Sequence, residues 1–327
     1  MNNHWLSIFA AMIGTDLQYA QQRLVSGELV AIPTETVYGL AANALSAIAV
    51  AKIFEAKDRP SFDPLIVHTS AWDRVEQWVQ DIPALAHQLA AAFMPGPLTL
   101  LLPKKQIIPD LVTAGLPRVG IRLPSHPMTQ SLLAQLDFPV AAPSANPFGY
   151  ISPTTAQHVD DQLGSKVSYI LDGGSCEVGV ESTIISFEEE RAVILRKGGT
   201  PVEAIEAVIG PVEVRAHSTS NPTAPGMLKS HYAPRIPFLL GNTAELVKQH
   251  AGKKLGVLAF SKPIEHQDVR FQQILSPTRN LSEAAQRLFA SMREMDQMDL
   301  DLIIAEYLPE EGLGRAINDR LRRAAAI

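Results

Sequence analysis

Apolar and polar positions follow two regimes along the chain. Through about residue 210, short apolar runs rich in β-branched residues recur between helical patterns, and they predict strands at 29–33, 98–102, 118–123, 140–142, 169–172, 183–187 and 192–196. Between the first two lies a clear helix. Ser46 is placed to cap it, Ala47, Val50, Ala51 and Phe54 share one face, and Pro60 stops any continuation. Many strands with few, irregularly spaced helices predict a mixed α/β domain around a twisted sheet rather than regular βαβ repeats. Residues 5–13 are also apolar, but no Lys or Arg precedes Arg23, so a packed helix is expected there and not a secretory signal.

The pattern breaks over 217–234, where Pro222, Pro225, Gly226 and Pro234 leave no usable periodicity and the composition is that of a linker. A more regular alternation follows. Apolar runs at 236–240, 255–260, 271–275 and 302–305 alternate with helical patterns at 243–250, around Ala285, Leu288, Phe289 and Met292, and at the basic 315–326 segment. That order predicts a small Rossmann-like doubly wound α/β domain. The expected division is a sheet domain over 1–212, a Pro-rich linker over 213–235 and the small domain over 236–327.

Composition narrows the class. The 327 residues suit two domains, and 46% hydrophobic against 19% charged residues is a folding composition. Cys176 is the single cysteine, which excludes an intrachain disulfide or a multi-cysteine metal site and favours a reducing compartment. With 28 basic and 34 acidic residues the net charge is −6, so bulk charge gives no support to nucleic-acid binding. The apolar stretch over 85–102 is broken by His87, Gln88, Pro95, Gly96 and Pro97, short of the roughly 20 apolar residues of a membrane span. A soluble cytoplasmic protein is expected.

Familiar phosphate-binding, metalloprotease and nucleophile-elbow motifs are missing, and polar residues gather instead where strands end. The first strand runs into 33–40, PTETVYGL, read as a strand-to-helix turn in which Thr34 and Thr36 serve either a ligand or a helix cap. Lys57 and Arg59 leave a helix end, a favourable place for cations on dipole grounds alone, and the run 64–68, PLIVH, then presents His68, a structural hydrogen-bonder or a ligand. Arg118 and Arg122, four apart in a strand, share a face that needs anionic company. Ser144 and Asn146 lie in a proline-flanked turn, either an ordinary turn or a set of ligand contacts. Such segregated cations, with Arg196 at the end of a later strand, suit a multiply anionic ligand such as a triphosphate plus a carboxylate.

Taken together in order, PTETVYGL, KDRP with PLIVH, RVGIRLP, APSAN, GVESTI, LRKG and SHYAP give the chain a resemblance to the threonylcarbamoyl-AMP synthases, the two-domain branch of the YrdC family. The resemblance is strong over about the first 200 residues and at SHYAP, and weaker beyond. It implies a nucleotidyltransferase that combines L-threonine, bicarbonate or CO2, and ATP with Mg²⁺ into threonylcarbamoyl-adenylate and pyrophosphate. A downstream transferase complex would pass the threonylcarbamoyl group to adenosine 37 of tRNAs reading ANN codons, with at most a weak direct tRNA contact here. By resemblance, Thr36, His68, Arg122, the Ala142 backbone and Ser182 hold threonine, while Arg59, Asp63, Arg118, Ser144, Ser152, Arg196 and Tyr232 face ATP. Lys57, Arg59, Ser144 and Asn146 form the catalytic K-x-R and S-x-N pairs, and the segment bearing Tyr232 closes over the nucleotide. Two positions depart from the family pattern: Asp63 stands where Asn is expected and Arg118 where a small hydroxyl residue is expected, and their opposite charges suggest mutual compensation. The alternatives are a non-catalytic RNA-binding module, disfavoured by acidity and the lack of an aromatic-rich strand, and a carbamoyl-transferring relative, disfavoured by the single cysteine.

Overall fold

The computed structural model describes residues 12–189, 191–215, 225 and 231–326. Among these, eleven strands form one mixed sheet. Across it run Met12–Gly14, Tyr169–Leu171, Val30–Ile32, Gly39–Asn43, Val140–Ala141, Ile66–His68, Arg118–Arg122, Leu98–Pro103, Thr183–Glu188, Arg191–Arg196 and Glu213–Val214. Ser46 caps helix Ala47–Lys57 as its sequence implies, Oγ accepting from Ala49 N, but the face turned to the main core is Ala49, Val50, Ile53 and Phe54, and the expected Ala47 and Ala51 are exposed. Leu17–Val25 and Pro127–Ala134 cover a second apolar patch with Val30, Ile32 and Tyr169.

Three further expectations change. Residues 33–38 do not enter a helix; they join Val30–Ile32 to the antiparallel strand Gly39–Asn43, with Ile32 opposite Gly39. Thr34 organises that turn, because its hydroxyl accepts from Thr36 N and Val37 N at 3.1 and 3.2 Å. Most of the apolar stretch 5–13 lies outside the described residues, but Met12–Gly14 is a strand paired in parallel with Tyr169–Leu171, not part of a helix. The sheet also continues past residue 212, since Glu213–Val214 pairs with Arg191–Arg196 and Arg215 N donates to Ile194 O. Most of the linker expected over 213–235 lies outside the described residues.

The small domain is a four-stranded parallel sheet ordered Phe238–Leu240, Leu302–Ala305, Leu255–Ala259, Val269–Ile274. Helices Leu281–Asp296 and Gly314–Ala324 pack on one face, and Thr243–Gln249 packs on the other through Val247. Doubly wound packing of this kind is what the alternation predicts.

The two domains share a core. Val37, Ile151 and Val180 of the first pack with Phe289 and Met292 of the second, and Tyr232 sits among them. Arg293 reaches across to donate to Ser152 O at 3.2 Å, to Gln162 Oε1 at 3.0 Å and to Ile151 O. Among the described residues no helix is long and apolar enough to cross a membrane.

Candidate active site

A cavity of about 50 Å³, room for a few waters, opens between the sheet and the inter-domain seam. Its wall includes Arg59, His68, Arg122, Ala142, Ser144, Ser182, Arg196 and Tyr232, eight of the residues expected from the sequence. The lining comes from neighbouring strand ends, because His68 pairs with both Arg122 and Val140. Val140–Ala141 hands the chain to the Pro143–Asn146 turn, which is fastened to the first hairpin by Leu40 N to Pro143 O and Ala145 N to Tyr38 O, 2.7 and 2.8 Å.

Arg122 is almost fully buried, with Nη2 2.8 Å from Glu35 Oε1. The pair is close but not aligned as a hydrogen bond, and Arg122 Nε and Nη2 are buried donors with no hydrogen-bond partner. Buried orphan donors are costly, and a guanidinium edge of this kind is complementary to a carboxylate. His68 is buried and its Nδ1 lies 3.2 Å from Ile66 O. Burial, reinforced by the Arg122 charge, pushes its pKa down to about 3, so the ring is neutral and Nδ1–H donates to the carbonyl. Nε2 is then a lone-pair acceptor. Ser182 Oγ is held between Thr99 Oγ1 at 2.7 Å and Arg196 Nη2 at 3.0 Å.

Arg59 follows a left-handed residue, Asp58 at φ 51°, that ends helix Ala47–Lys57 and turns the chain inward. Its Nη2 lies 2.9 Å from Asp63 Oδ2 and donates to Pro64 O at 2.9 Å. Burial lowers its pKa and raises that of Asp63, the opposite charges partly offsetting both effects. Arg196 donates to Ser182 O at 3.0 Å and to Pro225 O at 3.1 Å.

Other expected residues stand behind the wall. The buried Lys57 ammonium donates to the carbonyls of Ser144 and Asn146, so it holds the turn in place. Asn146 donates its amide to Pro147 O and Tyr150 O, Thr36 Oγ1 lies 2.8 Å from Thr34 Oγ1, and Ser152 Oγ donates to Glu181 Oε1 at 2.6 Å. Asp63 is spoken for by Arg59, which removes the expected clash with phosphate and also the expected compensation by Arg118. Arg118 sits at the opposite end of its strand, roughly 13 Å along it from Arg122. The Ile66, Leu101, Ile184 and Leu195 cluster forms the apolar patch on this part of the sheet. Arg118 donates to Ser186 Oγ at 2.7 Å and borders a separate groove, so the structure does not bring it to the cavity.

Sequence reasoning assigned no role to Glu181 and His231, which line the cavity, or to Glu35, Thr99 and Arg320, which hold lining residues. Glu35, Glu181 and His231 lay inside recognisable motifs, whereas Thr99 and Arg320 carried no local signal. Among the described residues no group of three His, Cys, Asp or Glu side chains is placed to hold a metal.

Tyr232, at φ 64°, is buried, with its ring stacked on Phe289 at 5.5 Å and 4.2 Å from the His231 ring. With Pro225 and His231 it forms the side of the cavity that faces the second domain.

A family model described as telomere recombination, covering Sua5, YciO and YrdC, matches residues 22–198, and one described as threonylcarbamoyl-AMP synthase, C-terminal domain, matches 200–326. The chain is 43% identical to the threonylcarbamoyl-AMP synthase of Pyrococcus abyssi, covering 91% of each. It is 41% identical to that of Bacillus subtilis, over 95% of this chain and 93% of the relative. The crystal structure of P. abyssi Sua5 complexed with L-threonine superimposes with a TM-score of 0.90 at 39% identity, covering 97% of this chain and 98% of that one. The agreement of motif order, both domain models and the whole-chain superposition places this chain in the Sua5/YciO/YrdC family, in its two-domain form.

Proposed function

We propose that this chain forms L-threonylcarbamoyl-adenylate and pyrophosphate from L-threonine, bicarbonate or CO2, and ATP, the first step toward threonylcarbamoyladenosine at position 37 of tRNAs reading ANN codons. The observation that carries the reading is the convergence of Arg59, Arg122 and Arg196 with a neutral His68 on one buried cavity. Its relatives carry the synthase name, and a Sua5 structure was solved with L-threonine.

In this reading the Nε–Nη2 edge of Arg122, beside Glu35 but not hydrogen-bonded, takes the threonine carboxylate, and His68 Nε2 accepts from its amine or hydroxyl. Ser182 Oγ and the Ala142 carbonyl complete that pocket, the Ala142 N–H being already given to Ile66 O. The threonine amine, carboxylated by bicarbonate or CO2, becomes a carbamate whose oxygen attacks the α-phosphorus of ATP. The bond from that phosphorus to the bridging oxygen of the β-phosphate breaks, and pyrophosphate leaves. No side chain has to be a covalent nucleophile, so the protein's part is positioning and charge. Arg59, Arg196 and Ser144 Oγ face the phosphates, and Tyr232 covers the nucleotide and excludes the water that would hydrolyse the product. Asp63, Glu35 and Glu181 are each engaged by an arginine. The carboxylates of the site therefore do not suit a protein-held Mg²⁺, and Mg²⁺ enters as the counterion of the ATP phosphates. The adenylate then passes to a downstream threonylcarbamoyl-transferring complex.

The test is to supply purified protein with ATP, L-threonine and bicarbonate and follow pyrophosphate and adenylate. Threonine-dependent release of both is expected, and it should disappear in Arg59→Ala. Release no greater than that control, combined with tight RNA binding, would replace the enzyme with an RNA-binding module.

A further inference from the structure

Glu181 is a buried carboxylate beside the cavity, paired with one guanidinium and under the charge of a second. Arg196 projects from the end of Arg191–Arg196 into the cavity and acts on Glu181 through its charge. Arg320 comes from helix Gly314–Ala324 of the second domain, is fully buried, and donates Nε to Glu181 Oε2 at 2.8 Å. It also donates Nη1 to Lys197 O at 2.7 Å and to Asp319 Oδ2 at 3.0 Å, and its guanidinium lies 5.4 Å from the Tyr232 ring centroid. Glu181 Oε1 accepts from Ser152 Oγ at 2.6 Å, so each carboxylate oxygen has a donor other than Arg196. The Arg196 donors go instead to Ser182 and Pro225.

We propose that Arg320 is a positioning residue for the reaction. By holding the Glu181 carboxylate through Oε2, it keeps Glu181 from capturing Arg196 and so preserves Arg196 as a cation for the anionic substrate. The second domain thereby completes a site whose lining comes largely from the first. If Arg320 lost its charge, Glu181 would be a buried anion with one cation in reach, and the strong attraction between buried opposite charges would draw it toward Arg196. The inference rests on the reading that Arg196 faces ATP.

The experiment uses the full chain and the threonine-dependent pyrophosphate assay, with equilibrium binding of L-threonine in parallel. Arg320→Met is expected to raise the KM for ATP at least tenfold, with a smaller loss of threonine affinity because Arg196 also holds Ser182 Oγ. Adding Glu181→Gln to that variant removes the stray anion and is expected to bring the ATP KM back to within about threefold of the parent. Arg320→Lys, which keeps the charge, should stay within the same range. Melting temperatures of all variants separate this from misfolding, because a structural role would make the losses follow stability and would not be relieved by a second substitution. Failure of Glu181→Gln to restore Arg320→Met, or equal loss of ATP and threonine affinity, overturns the proposal. Arg196→Ala distinguishes the underlying reading: if it leaves the ATP KM unchanged, the assignment of Arg196 to ATP fails. If it raises the KM while Arg320→Met does not, only the role of Arg320 fails.

Discussion

Arg122 and Lys57 are both buried cations, yet they do different work. Arg122 keeps donors without partners at the cavity, so Arg122→Ala is expected to weaken L-threonine binding at least tenfold, and Arg122→Lys nearly as much because a fork is lost. Isothermal titration without ATP would measure this, and threonine affinity within twofold of the parent would remove Arg122 from the threonine pocket. Lys57 instead satisfies two backbone carbonyls of the Ser144 turn. Lys57→Met should therefore cost stability as well as turnover, about 3 kcal/mol by chemical denaturation, since two buried acceptors lose their donor. A turnover defect with unchanged stability would show that the ammonium acts on substrate. The sequence pointed to both residues but could not separate these roles, because a K-x-R spacing does not say which cation turns toward a ligand and which toward the backbone. The Asp63 departure was visible too. Its partner is Arg59, four residues earlier, and not the distant Arg118.

At the scale of elements, the strands with β-branched runs were legible, and Ile66–His68 delivers its histidine as the apolar run before it implies. Gly39–Asn43 was not legible. Its sequence, GLAAN, is alanine-rich and has no alternation, and burial within the sheet overrides its local preference. The two-residue strand Glu213–Val214 was too short to leave any pattern. Gly179, in the GVESTI motif, shows how one element meets another. At φ 76° it faces helix Leu281–Asp296 of the second domain, and a Cβ there would lie 2.4 Å from Ala285 O. Gly179→Ala is thus expected to be strained at its own backbone and to push the domains apart, costing about 2 kcal/mol. Because Glu181 and Ser182 follow two and three residues later, the ATP KM should rise with the loss of melting temperature, and an unperturbed variant would mean the seam is slack.

For the whole molecule, the two-domain plan was readable from periodicity and the proline-rich break, but the docking was not. Arg293 and Arg320 lie in helices whose sequences show only an apolar face in the first and a basic composition in the second, and the surfaces they grip belong to chain segments more than a hundred residues away. The docked state also buries neutral imidazoles. His68 has its pKa pushed down to about 3 and His158 to about 4, chiefly by burial, and the same cause holds His231 well below the ordinary range. In the unfolded chain these rings protonate near pH 6.5. Between the folded and unfolded values the unfolded state binds more protons, so their contribution is complete above about pH 6.5 and is lost as pH falls toward 3. His68 alone should account for about 2 kcal/mol of lost stability at pH 5. Thermal melts from pH 8 to pH 5 are expected to show a falling midpoint, with a shallower fall in His68→Gln; parallel curves would mean that His68 titrates normally.

The size of the cavity has a kinetic consequence. A space of about 50 Å³ is smaller than ATP or the finished adenylate, so binding and release call for the cavity to widen. Release of the adenylate is then coupled to that widening. Turnover at saturating substrate should then slow as solvent viscosity is raised with a small polyol, and insensitivity to viscosity would place the slow step in the chemistry.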